Sequence, residues 1–153
     1  MAIAFFSTWT TYGTWLPGDD RGWFDPGAGV RDPDHMRRQI ASLIMSENAV
    51  VLDSEQRSLV ESVILKHCSI PNWELHAVSC RSNHAHVVVS ASERAIAVPR
   101  EQFKLWATRR LKELELLRDP TRSVRMHWWA ERGWDVYIDT ERDLREVVDY
   151  VAE

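Results

Sequence analysis

Cysteine is scarce, with two residues in 153. Cys68 and Cys80 stand outside any Cys-x-x-Cys spacing, which excludes a zinc scaffold or a disulfide framework and fits a reducing, cytoplasmic setting. Long apolar runs are missing too. The opening AIAFF is short, has no basic flank and passes into polar Thr and Tyr, so it reads as neither a signal peptide nor a membrane span. Surplus positive charge is also absent. Lys and Arg number 19 against 23 Asp and Glu, a net charge of −4, which argues against a protein that coats nucleic acid non-specifically and leaves a local basic groove open. What the chain does have is tryptophan, at eight residues. Apolar content of 44% and charged content of 27% are ordinary for a globular protein. The length suits one domain, residues 1–153, with a core large enough to need no staples.

The stretch Glu74–Ala91, ELHAVSCRSNHAHVVVSA, carries most of the information. Two apolar-rich runs flank an Arg81-Ser82-Asn83 break, the pattern of a β-hairpin. Side chains alternate along a strand, so His84 and His86 share one face while Ala85, Val87 and Val89 take the other. Paired imidazoles on one face suit a single divalent ion, which requires both to be neutral. A half-exposed strand can also carry two histidines around an alanine with no role, because His-x-His is a short pattern.

Ala2–Thr11 is rich in aromatic and β-branched residues and reads as a first strand. From Tyr12 to Pro33, Gly and Pro recur too often for regular structure. Its aromatic side chains predict an ordered loop offering flat faces such as Trp15, with Arg21 close by, or rings that cap one end of the core. Asp34–Met45 predicts a helix with Ile40, Leu43 and Ile44 on its apolar side and Arg37 and Arg38 exposed. A second helix opens at Asp53, whose capping box closes on Gln56, and continues through Leu59, Val60, Val63 and Ile64 to stop before Pro71-Asn72. Pro99 suits a first helical position, and Phe103, Leu105, Trp106, Leu111 and Leu114 carry that helix to about Leu117. Its other side shows Lys104, Arg109, Arg110 and Lys112. A charge-rich helix face is commonly just solvated. Interleaved with Trp106, Trp128 and Trp129, these cations are also what a single-strand groove needs, phosphates on the cations and bases on the rings. Trp134–Asp139 alternates as a further strand. Thr140 caps a last helix with Leu144, Val147, Val148 and Val151 on its buried stripe and Tyr150 at the stripe's edge, with Glu146 and Glu153 about one turn to either side.

The predicted fold class is α+β. Its core is a ferredoxin-like β-α-β-β-α-β unit, an antiparallel sheet with helices on one face, plus a C-terminal helix carrying the tyrosine. The first and third strands are central, which puts His84 and His86 mid-sheet.

His84-Ala85-His86 within SNHAHVVVS, the WTTYGTWLPGDDRGW opening, the KLWATRRLKE helix and the closing DLREVVDYV occur in this order along almost the whole chain. Together they resemble the single-tyrosine HUH transposases, the REP-associated tyrosine transposases among them. The resemblance implies a homodimer, Mg²⁺ or Mn²⁺ held by His84 and His86, Tyr150 as nucleophile, and single-stranded DNA beside an imperfect hairpin as substrate. It also implies a further polar metal ligand about one turn after the tyrosine, for which Glu153 and Glu146 are the candidates. Tyr137 and then Tyr12 stand behind Tyr150 as nucleophiles. Two readings compete with the enzyme. One is a domesticated, non-catalytic protein of the same fold that binds single-stranded nucleic acid. The other is a two-His-one-carboxylate iron oxygenase, which the helix content disfavours.

Overall fold

The computed structural model describes residues 2–91 and 97–153. Strand β1 spans Ala4–Thr10, and a small hairpin follows, β2 Trp23–Asp25 and β3 Gly29–Arg31. Helices α1 His35–Leu43 and α2 Ser54–Ser69 lead to β4 Glu74–Cys80 and β5 His84–Ser90. Then come α3 Ala97–Arg118, β6 Trp134–Ile138 and α4 Glu141–Ala152. The four long strands form one antiparallel sheet in the order β4-β5-β1-β6, so the first strand and the His strand are central, as the sequence predicts.

Opposite faces of the sheet are covered by different helices. Phe5, Trp9, Ala85, Val87 and Val89 point to one side and pack on Val60, Ile64 and Cys68 of α2 and on Phe103, Ala107 and Leu111 of α3. Ala4, Val88 and Ile138 point to the other side and meet Val151 of α4, with Phe6, Ala77, Leu144, Val147 and Val148 around them. The α2 start follows its predicted chemistry, Asp53 and Gln56 forming a reciprocal capping box. Thr140 caps α4 by accepting from the Asp143 N–H at 3.1 Å. Both cysteines are buried free thiols. Among the described residues no helix is long and apolar enough to cross a membrane.

Three elements depart from expectation. The Tyr12–Pro33 stretch is not wholly irregular, because Trp23–Asp25 and Gly29–Arg31 pair as a hairpin. Three pairs suffice where Phe24 rests edge-on against Trp134 of the β6 edge, ring centroids 5.6 Å apart. At Gly18 the backbone takes φ +90°, and a Cβ would collide with the Asp34 carbonyl at the start of α1. Helix α1 is shorter than predicted and buries no residue: Ile40, Leu43 and Ile44, its expected core side, are exposed. Pro99 is the third residue of α3 rather than its first; in a first turn its missing N–H still costs no helical hydrogen bond.

A His pair and a tyrosine on the open face of the sheet

Register places the site. His84 lies opposite Thr10, and His86 lies between Thr8 on one side and Ser79 on the other, all on the α4 side of the sheet. The two imidazole centroids are 4.5 Å apart. Each ring is oriented through Nδ1: His84 reaches Asn83 Oδ1 at 2.7 Å and His86 reaches Thr8 Oγ1 at 2.9 Å. Asn83 Oδ1 can only accept, so His84 carries its proton on Nδ1 and presents a lone pair at Nε2. Thr8 Oγ1 can accept as well as donate, so it accommodates the His86 tautomer whose Nε2 also presents a lone pair. Outer partners of this kind are what hold metal-binding imidazoles in one tautomer.

Electrostatics favour the neutral rings. Burial lowers the pKa of His84, and the Arg81 charge lowers it further. His86 falls to about 4, through burial first, then the charges of His84 and Arg81. Neutral imidazoles are competent ligands, and the pair fits a divalent ion.

Helix α4 brings Tyr150 to the same place. Its ring centroid is 5.8 Å from that of His86, and the side chain keeps 57% of its surface exposed. Phe6 packs beside both, closing a three-ring cluster: it stacks on His86 at 5.4 Å and meets Tyr150 edge-on at 6.2 Å. Alternation on β1 contains this contact, but the sequence alone does not single Phe6 out. Tyr137 lies opposite Phe5 on the α2–α3 side of the sheet. Tyr12 stacks on His127 at 5.1 Å and bonds to Ser46. Neither shares the face of the His pair.

The expected carboxylates do not join the imidazoles. No group of three or more His, Cys, Asp or Glu side chains suited to a metal occurs among the described residues. Glu146 pairs with Arg142 at 3.4 Å, and Glu153 is exposed at the end of α4. Helix geometry explains this, since residues a turn from Tyr150 rotate past the sheet toward solvent when the apolar stripe faces it.

The expected cationic groove fares differently again. Helix α3 packs on the side of the sheet away from the His pair, so its outward Arg109 and Arg110 face away from the imidazoles. Arg110 pairs with Glu113 at 3.1 Å, and the Arg109 guanidinium sits over Trp106 at 4.8 Å. Lys112 is half-buried on the same helix. Lys104 is turned inward, donating to the carbonyls of Ala130 and Arg132 at 2.9 and 2.8 Å. An open groove of about 470 Å³ does run past Lys104, Trp128 and Trp129. Glu101 and Glu131 line it as well, and Trp128 is 3% exposed, so it offers phosphates and bases little. Arg21 is held by Asp19 at 2.7 Å and lies over the exposed Trp15 ring at 4.0 Å. That unit remains a flat, cation-backed face, with no contact to the His pair among the described residues.

No family model matches the chain and no curated protein matches it. Solved structures do. One is a REP-associated tyrosine transposase bound to a REP hairpin, with TM-score 0.54 and 12% identity over 99% of this chain and 66% of that one. Another is described as a transposase of Deinococcus radiodurans R1, with TM-score 0.51 and 12% identity over 99% of this chain and 90% of that one. The chain spans just under two thirds of the first structure's length. At this identity the likeness is one of architecture, and the chain has the fold of these transposase structures.

Proposed function

We propose that this chain is a metal-dependent single-stranded DNA endonuclease and strand transferase that cleaves near DNA hairpins through a 5′-phosphotyrosine intermediate. One observation carries the reading: an accessible phenol, 5.8 Å ring to ring from His86, shares an open face with two neutral imidazoles. The transposase-like fold supports it.

In this reading Tyr150 Oη attacks the scissile phosphorus. The new O–P bond forms as the P–O3′ bond breaks, and the phenolic proton ends on the departing 3′ oxygen. A divalent ion on His84 and His86, when bound, draws charge from the non-bridging oxygens. Phe6 packs against both phenol and imidazole, while Thr8 and Asn83 orient the imidazoles through Nδ1. Two copies act together as a homodimer in the cytoplasm, and sedimentation equilibrium at twice the monomer mass is the expected result. Reversal by another 3′-hydroxyl rejoins strands without an external energy source.

The test is incubation with Mn²⁺ and hairpin-bearing single-stranded oligonucleotides, followed by denaturing electrophoresis for protein-linked DNA. A product that Tyr150→Phe loses while keeping DNA affinity supports the reading. Retention of the product by that variant moves the nucleophile elsewhere. The missing carboxylate favours one second reading, a non-catalytic single-strand binder. Undiminished DNA binding with no linked product under any divalent ion would select it.

A further inference from the structure

A half-buried guanidinium stands beside the His pair without a carboxylate to hold it. Arg81 follows Ser79 by two residues, and Ser79 is the register partner of His86. Arg81 Nε donates to Ser79 Oγ at 2.8 Å, and the Arg81 backbone N–H donates to His84 O at 2.7 Å. The side chain is therefore fixed at its root and at its neck, on the imidazole side of the sheet. Five other arginines carry a carboxylate partner: Arg21 has Asp19, Arg100 has Asp135 and Glu101, Arg110 has Glu113, Arg118 has Asp53 and Glu55, and Arg142 has Glu146. No ion pair among the described residues includes Arg81; its side-chain partner there is a neutral hydroxyl. Withdrawing a guanidinium from water without a counter-charge is costly, so the arrangement suits an anion that arrives from outside. With Nε occupied, the two Nη groups still form a planar fork that matches two oxygens of one phosphodiester. The same charge also helps keep both imidazoles unprotonated.

We propose that Arg81 is a phosphate-binding residue of this site, its Nη groups gripping the non-bridging oxygens of the strand presented to Tyr150. The proposal rests on the nuclease reading above for the identity of that strand. It adds a ligand that a His pair and a tyrosine do not supply, one that compensates charge on phosphorus-bound oxygens as the fifth bond forms.

Fluorescence anisotropy with a labelled oligothymidine of about 30 nucleotides, across about 50 to 300 mM salt with Mn²⁺ present, tests it. Arg81→Gln is expected to weaken binding about tenfold, as loss of a charged hydrogen-bond pair does, and to flatten the slope of log affinity against log salt by about 0.7, one single-strand phosphate's worth. Arg81→Lys keeps the charge and therefore the slope, but loses at least about threefold in affinity because an ammonium is no fork. Arg122→Gln, an exposed cation beyond α3, is the charge-matched control, with less than a twofold change expected. Unchanged slope and affinity in Arg81→Gln overturn the proposal, as does an equal loss in the control. Should Arg81→Gln fail a thermal-melt check of folding, Arg81→Lys decides: wild-type affinity there overturns the proposal. Parallel adduct assays separate the two claims. Wild-type adduct with an unaltered Arg81→Gln slope removes Arg81 alone. A flattened slope with no wild-type adduct keeps the phosphate site and removes the nuclease.

Discussion

The two faces of this sheet use the same strands for opposite ends. On β5, Ala85, Val87 and Val89 are fully buried against two helices, while their neighbours His84 and His86 remain half-buried under one shorter helix. Beneath α2 and α3 even the polar groups are closed in: Ser7 donates to Asp135 at 2.8 Å, and Asp135 also pairs with Arg100. On the α4 side the apolar contact ends at Val88, and the polar residues Thr8, Thr10, Ser79 and the two histidines lie beyond it. One face supplies folding energy and the other is left partly uncovered, so that titratable groups reach solvent without unfolding anything. Chemistry and stability should therefore separate by face.

The largest expected contrast uses Tyr150→Phe, which should cut covalent DNA product by at least about a thousandfold while leaving the urea midpoint unchanged, since the lost hydroxyl sits on an exposed side chain. Leu111→Ala on the helix-covered side is the mirror image. It should cost about 2–5 kcal/mol, read by urea denaturation, with adduct formation per folded molecule intact. Phe6→Ala combines both kinds of effect: about 2 kcal/mol lost from partial burial, together with slower adduct formation as His86 and Tyr150 lose the ring that packs on both.

A pH series sharpens the comparison. His86 titrates at about 4 when folded, below the 6.5 of a free imidazole. Between those values the unfolded chain takes up a proton that the folded chain refuses, so stability is full above about pH 6.5 and declines as pH falls toward 4. His84 adds to the decline in the same direction. Metal-free His86→Gln should lose less stability than wild type over that window, measured by urea midpoints. The smallest effect is expected from Arg109→Gln with Arg110→Gln: less than a twofold change in single-strand affinity, because both charges face away from the site. A tenfold loss there would put the DNA across α3 and break the division.

Periodicity and capping made most of the scaffold readable. The alternation around His84 and His86, the Asp53 capping box and the α4 stripe each reflect a local rule that tertiary packing did not override. Where reading failed, the missing information was three-dimensional. Lys104 looks like any exposed lysine on a charged helix, and its inward turn depends on carbonyls 26 and 28 residues away. Ile40, Leu43 and Ile44 have helical spacing, yet α1 buries none of them. Arg81 sits in a break between strands, where spacing assigns no face; the bond to Ser79 does. Glu146 and Glu153 are within a turn of Tyr150, and helix rotation still keeps them from the imidazoles.

The three tyrosines allow a direct test of whether phenol and imidazoles form one site. With ¹³C-labelled tyrosine, substoichiometric Mn²⁺ should broaden the Tyr150 ring signals well before those of Tyr12 and Tyr137, and His84→Ala with His86→Ala should abolish the effect. Equal broadening of all three rings, or broadening that survives loss of both histidines, would contradict the account.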